Sequence, residues 1–466
     1  MVTVGAGLFL SKQLGRDVGP GQANWMAALT QGAFVVMSGR LGAVYGHQQV
    51  LLAGGAIFAL FTLVTGFCTT YESFVACRAL TGVGAGLSMP NAVAMVTIML
   101  PPGRSRNVTV AFFAAAAPIG GWLGTLIAGL FIEFTNWRWI FYFLAIFSAV
   151  VFTVLYISLP PEEPVDRAGR VDYVGSFLGV SGLLLFNFAW NQAPSVGWAT
   201  PYEIAVIILS VVLLLAFAAW EHYFAKEPMM PLSIFRGPTF AALVIVVLLS
   251  YMSFGISLWY MVAWGQLVRG WSVMDLSVNM IPFAIGSTAS VGLAAWLIPR
   301  VAAQWIVGLG IASVLLSNLL LATMPVYQTY WAQVFPAIVM GSVCPDFVYV
   351  AAQVIASNSV SRKQQGIAGS LIGTLNLYGN SLGLGFAGTI ETELTQGARA
   401  EVPVDQIPGY RAALYFGVAL AVVALVLDFA FVRMPKDERE GWEGADGEQE
   451  DVAVGSTTGI QLPSRA

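Results

Sequence analysis

Charge is the scarcest property of this chain. Only 10% of its 466 residues are Asp, Glu, Lys or Arg, against about 25% in soluble domains. Histidine occurs twice and cysteine three times, at Cys68, Cys77 and Cys344. Each cysteine lies inside an apolar run, and no Cys/His spacing suits a metal. The three read as small packing residues, and neither a metal nor a cofactor is expected. The formal net charge of -4 arises largely after Pro435, so it does not favour nucleic acid. No catalytic cluster faces a membrane surface, which argues against an enzyme.

What the chain does have is apolar length, with 57% hydrophobic residues. A helix needs about 20 apolar residues to cross about 30 Å of hydrocarbon. By that measure spans are expected at 23–42, 49–69, 73–99, 107–132, 138–158, 173–192, 202–222, 238–264, 276–298, 304–323, 330–356, 366–390 and 411–432. The short run 2–10 covers about half a bilayer at about 1.5 Å per residue. It lacks the charged start of a signal peptide. It is read as the outer half of a first helix whose beginning is missing, giving fourteen spans in the intact architecture.

Lys/Arg placement orients these spans. With the N-terminus in the cytoplasm, fourteen basic residues fall inside, including Arg40, Arg104, Arg106, Arg167 and Arg170. Six fall outside: Lys12, Arg16, Arg138, Arg269, Arg399 and Arg411. The bias follows the positive-inside rule and leaves Arg78 within a span. The fold class is therefore an all-α polytopic membrane protein. Its expected organisation is a six-helix bundle over 1–158 with the first helix truncated, a mobile cytoplasmic linker at 159–172, an inserted helix pair at 173–222, a second six-helix bundle over 223–432, and an acidic cytoplasmic tail at 433–466 whose composition predicts disorder.

Few residues carry chemistry. Arg78 lies in Cys77-Arg78-Ala79-Leu80-Thr81-Gly82-Val83-Gly84-Ala85-Gly86. A charge inside a span costs several kcal/mol unless it meets a partner or a wet cavity. It reads either as a structural arginine held by carbonyls, or as one that sets the protonation of an acid or holds an anion. Asp346, in Cys344-Pro345-Asp346-Phe347, is the only acid so deep in a span. Burial and neighbouring charge tune such a carboxyl, so it can carry a proton, or else pair with a helix end opened by Pro345. Asp428 is read as an interfacial partner of Arg433, and Glu391 and Glu393 as ending their span in water. Pro118, followed by Gly120, Gly121 and Gly124, bends its helix as a hinge or a packing kink. Tyr251 and Phe254 are cavity candidates near the middle of their span. Asn376, Tyr378 and Asn380 either bond helix to helix or line a cavity. The sequon Asn107-Val108-Thr109 falls at the cytoplasmic start of a span and is discounted.

The stretch Ser38-Gly39-Arg40-Leu41-Gly42-Ala43-Val44-Tyr45-Gly46-His47-Gln48 resembles the loop between the second and third helices of major facilitator transporters. There the pattern runs Gly-x-x-x-Asp-Arg-x-Gly-Arg-Lys. The whole chain except its tail resembles the fourteen-helix drug:proton antiporter branch of that superfamily. Residues 356–371 and 383–389 resemble the fungal aminotriazole-resistance group within it. The resemblance implies that Arg78 with Gly82 matches a fourth-helix motif linked to proton coupling. Pro118 with Gly121 and Gly124 matches a fifth-helix antiporter motif, with Ala117 in place of its glycine. Asp346 matches an acid of the group's equivalent helix. Gly39, Arg40 and Gly46 keep the loop motif, whereas Ala43 replaces the acid that braces the two bundles in the family, and His47-Gln48 replaces its basic pair. The first-helix motif is absent.

These features imply an exporter of a small organic molecule (drug, toxin or secondary metabolite) by proton antiport through alternating access. Arg78 and Asp346 would govern protonation around a cavity between the bundles. Its partners would be substrate, protons and the lipid bilayer, and the expected state is a monomer in the plasma membrane. The alternatives are a carrier of a small ion or polar solute such as ammonium or borate, and a non-transporting sensor. The sensor is disfavoured by a short, unstructured tail.

Overall fold

The computed structural model describes residues 2–15, 22–99, 104–159, 162, 164, 166–167, 169–225, 228, 230, 234–235, 237–359, 365–395 and 403–433. The acidic tail expected to be disordered, beyond residue 433, lies outside the described residues, as does the side chain of Asn107. Helices α1 (Val2–Gln13), α2 (Gln22–Tyr45), α3 (His47–Thr65), α4 (Tyr71–Met99), α5 (Arg104–Phe134) and α6 (Arg138–Ser158) precede the linker. Helices α7 (Tyr173–Val196) and α8 (Pro201–Tyr223) follow it. The rest are α9 (Pro238–Ala263), α10 (Val273–Asn279), α11 (Ile281–Leu297), α12 (Ala303–Thr323), α13 (Phe335–Ser359), α14 (Gln365–Leu394) and α15 (Ile407–Phe431). No strand occurs among the described residues.

Every expected span has its helix, because in hydrocarbon each backbone N–H and C=O must be satisfied within its own segment. Eleven helical segments among the described residues are long and apolar enough to cross a membrane. Helix α14 is not one of them, its run being diluted by Gly, Asn, Ser and Thr. One expectation needs correction: 276–298 is not a single helix but α10 and α11, broken at Met280. Pro282 stands in the first turn of α11, where its missing N–H costs nothing, and its ring prevents α10 from running on. By contrast α4, α5, α7 and α13 continue through Pro90, Pro118, Pro194 and Pro345.

The packing follows chain order. Helix α3 lies against α4 and α6, and α2 against α4. After the linker, α9 packs on α12, α13, α14 and α15, and α11 on α13. The two groups meet where α2 runs along α14 and α5 along α10 and α11. Helix α9 is buried over most of its length. Within its group, hydroxyls and amides join helices that lack a hydrophobic reason to associate in lipid. Ser253 Oγ donates to the Gly417 carbonyl at 2.8 Å, Asn318 Nδ2 to the Ser253 carbonyl at 3.1 Å, and Ser317 Oγ to the Ala337 carbonyl at 2.8 Å.

Helix α8 buries only Glu203, Ser210, Phe217 and Glu221 and packs on α7. Helix α7 in turn bridges α2 and α14. Ser381 Oγ of α14 donates to Asn187 Oδ1 at 2.9 Å. Asn191 also donates to Asn187, and Trp190 stacks on Phe386 with ring centroids 3.8 Å apart. Replacing Asn187 with Leu removes the acceptor shared by Ser381 and Asn191. Asn187→Leu should destabilise the detergent-solubilised protein by about 1 kcal/mol, read as a lower unfolding temperature; an unchanged temperature would show that this seam contributes nothing.

Candidate functional site

The turn between α2 and α3 is a single residue, Gly46, with φ at +99°. That backbone conformation is open to glycine and strained for other residues, which explains the glycine at this place in the motif. Arg40, six residues earlier, reaches out of α2 to the linker. Its Nη1 donates to Asp166 Oδ2 at 2.8 Å, and its Nε and Nη2 donate to the Arg170 carbonyl at 3.2 and 3.1 Å. The Asp166 N–H donates to the Ala43 carbonyl at 2.9 Å. Glu162 accepts from the Gln48 N–H at 2.8 Å, placing a carboxylate on the N-terminus of α3, where the helix dipole favours it. Tyr45 and Tyr173 hydroxyls meet at 2.5 Å. The described part of the linker is thus strapped to the turn, where a mobile segment was expected. The family's acid is absent at Ala43, but two linker carboxylates face the same turn.

His47 is buried, its Nδ1 2.7 Å from Asn91 Oδ1, and Asn91 Nδ2 donates to the Ser38 carbonyl at 3.3 Å. The His47–Asn91 pair therefore ties α2, α3 and α4 together. On the other side of α2, a Cβ at Gly39 would run into Ser370 Oγ of α14. The glycine lets the two helices close at this end.

Asp346 lies in mid-helix on α13 and is 7% exposed. The Ser287 hydroxyl of α11 donates to its Oδ2. No cation pairs with it among the described residues. The preceding carbonyl, Pro345, accepts from Tyr251 Oη of α9 at 2.7 Å. Tyr251 is fully buried, so α9, α11 and α13 converge on this acid. Ser287 had no signal of its own in the sequence, sitting in the small-residue run Gly286-Ser287-Thr288.

Arg78 stands apart. It sits in the other group of helices, and its Nε is buried with no hydrogen-bond partner. Nothing joins it to Asp346 among the described residues. Pro118 and Gly124 are buried in α5, Gly121 is half-buried, and α5 stays helical through all three. Trp122 Nε1 crosses from this segment to the Ser277 carbonyl of α10 at 2.9 Å, a carbonyl close to the break at Met280.

The remaining candidates divide. Phe254 stacks on Phe283 with centroids 6.2 Å apart and lines a small pocket among α9, α11, α12 and α13, with Ser257, Ser317 and Gly341. This pocket lies inside the second group of helices, whereas the expected cavity lies between the two groups. Tyr378 Oη donates to the Leu183 carbonyl of α7 at 3.3 Å. Asn376 accepts from Asn380 Nδ2, at 2.8 Å on its carbonyl and 3.2 Å on Oδ1, and Asn380 Oδ1 is buried without a partner. Asp428 is fully buried beside Gly308 of α12, with neither oxygen hydrogen-bonded, and the Arg433 charge acts on it as expected. Glu391 does not end its helix in water: it accepts from Tyr260 Oη at 2.6 Å.

The sequence matches the Major Facilitator Superfamily over residues 1–384. It is 33% identical to the low affinity ammonium transporter of Saccharomyces cerevisiae, over 86% of this chain and 79% of that one. It is 32% identical to efflux pump terJ of Aspergillus terreus, over 88% and 80%. It is 30% identical to the aminotriazole resistance protein of Saccharomyces cerevisiae, over 87% and 76%. Among solved structures, the human organic anion transporter MFSD10 superposes with a TM-score of 0.61 at 14% identity, covering 91% of this chain and 89% of that one. A helical fold with eleven segments long and apolar enough to cross a membrane among the described residues, together with these matches, makes the chain a multi-pass membrane transporter, not an enzyme, and it belongs to the Major Facilitator Superfamily.

Proposed function

We propose that this transporter exports a small organic molecule in exchange for protons, by alternating access between bundles formed from 1–158 and 223–432, with 173–222 inserted. The observation that carries this reading is Asp346: an acid at mid-membrane, held by one serine hydroxyl, with no cation paired to it among the described residues. An ionised carboxylate in that setting bears a large desolvation cost that a proton relieves. Proton binding and release at Asp346 therefore changes how α9, α11 and α13 pack. Arg78 supplies the intramembrane cation of the facing bundle, available to an anionic group when the bundles rearrange. Pro118 with Gly121 and Gly124 lets α5 flex against α10 and α11. Tyr251, Phe254, Asn376 and Tyr378 shape the surfaces that the substrate meets. The α2–α3 turn faces the cytoplasm of a plasma-membrane monomer, as the Lys/Arg distribution favours. Relatives named as an efflux pump and as a resistance protein support export. The ammonium transporter among the relatives favours a second reading, movement of a small ion or polar solute through the same path.

The Arg40 strap serves as the closing device of the cytoplasmic end. It holds the linker across the turn while Gly39 lets α2 seat on α14. Opening that end then requires α2 to leave α14.

Asp346→Asn should abolish pH-gradient-driven transport in vesicles screened with a panel of toxic and radiolabelled compounds, while the protein still reaches the membrane. Full driven transport by this variant would overturn proton coupling at Asp346. Ser287→Ala keeps the acid but removes its donor, and should shift the pH profile of transport without abolishing it. For the strap, Asp166→Ala should speed tryptic cleavage after Arg167 and Arg170 by up to about fivefold, the range of an exposed ion pair worth about 0.2–1 kcal/mol. Ala43→Asp, which offers Arg40 a competing carboxylate, should do the same; equal cleavage rates in all three proteins would refute the strap.

A further inference from the structure

The far end of α9 carries a second acid that the reading above does not use. Glu391 is half-buried near the end of α14. Tyr260 Oη donates to its Oε2 at 2.6 Å, and Tyr260 is 1% exposed. Tyr410 of α15, also 1% exposed, stands edge-on to Tyr260 with centroids 5.4 Å apart, and Trp264 packs on Tyr410 at 6.3 Å. A Cβ at Gly409 would lie 3.1 Å from Glu391 Cγ, so α15 closes on the carboxylate at backbone distance.

The titratable groups facing Glu391 are the phenols Tyr260, from α9, and Tyr410, from α15. No described cation of this end pairs with Glu391. Arg411 Nη2 donates to the Met324 carbonyl at 3.0 Å, and Arg269 Nη2 lies 3.9 Å from Met324 Sδ. Tyr410 Oη is committed to Gln406 Oε1 at 2.8 Å. A carboxylate in an aromatic cage, with a single phenol donor and no ion-pair partner among the described residues, is a poor structural ion pair. Like Asp346 it is an acid with one hydroxyl donor and a tyrosine of α9 beside it, but here that tyrosine is itself the donor.

We propose that Glu391 is a second proton-binding carboxylate of the transport cycle, held by Tyr260 at the far end of α9, about 13 Å along that helix from Tyr251 at the level of Asp346. Tyr260 acts as its positioning residue. With the α2–α3 turn facing the cytoplasm, Glu391 lies toward the outside, where an exporter takes up the protons it exchanges. This inference rests on the proton-antiport reading.

The test is infrared difference titration of the full-length protein reconstituted in liposomes. Besides the signals of the buried Glu203 and Asp428, the carboxyl signal of the wild type should contain two components resolved from the exposed acids, one from Glu391 and one from Asp346. Glu391→Gln, which keeps an acceptor for Tyr260 and hence the fold, should lose one component and retain the other. Asp346→Asn should lose the component that Glu391→Gln retains. Tyr260→Phe should move the midpoint of the Glu391 component and leave the Asp346 component in place, which a merely structural tyrosine would not do. If Glu391→Gln removes only signal that titrates with the exposed acids, the proposal is overturned whatever Asp346→Asn does. If driven transport survives Asp346→Asn while the Glu391 component is present, the antiport mechanism through Asp346 fails and the proton site at Glu391 stands.

Discussion

Hydrocarbon offers no hydrogen bonds, and the structure of this transporter is organised by that deficiency. Backbone groups are satisfied inside helices. Side-chain hydroxyls and amides are satisfied mainly by the carbonyls of their own or a neighbouring helix, as at Ser253, Ser317 and Asn318. Once these are accounted for, a set of buried polar atoms among the described residues still lacks partners. Arg78 Nε, Asn380 Oδ1 and the carboxylate of Asp428 are buried with none, and Asp346 and Glu391 have single hydroxyl donors. In a medium where every such group is costly, these positions are the ones at which we propose proton and substrate chemistry.

Helix α9 is the spine on which much of this rests. It is apolar enough to cross the membrane and buried enough to touch α12, α13, α14 and α15. Its tyrosines sit beside the two acids, Tyr251 through the Pro345 carbonyl and Tyr260 directly. Its serines fasten it to α12 and α15. Helix α7 performs a related task, since Asn187 and Trp190 fix it to α14 while it also lies on α2. A displacement of α14 is therefore felt by α7 as well.

Helix positions were legible because apolar run length reports directly on bilayer thickness. The run 276–298 misled because Pro282 breaks the helix without interrupting its hydropathy. Arg78 and Asp346 could be singled out because a charge in an apolar run is conspicuous. Their partners could not: Ser287 is an ordinary serine until α11 brings it to Asp346. Glu391 looked like a helix end in water because only three residues of α14 follow it, and the cage built by Tyr260 and Tyr410 comes from helices distant in sequence.

The sequence by itself determined that this is a polytopic helical membrane protein with a glycine-framed turn, because composition and spacing act locally through hydrophobic length and backbone geometry. Only the tertiary structure decided what meets that turn. Ala43 suggested a brace with its acid missing, yet Asp166 and Glu162 bring two carboxylates to the same place from more than a hundred residues away. Electrostatic partners are chosen by distance in space, and no periodicity along the chain encodes that distance.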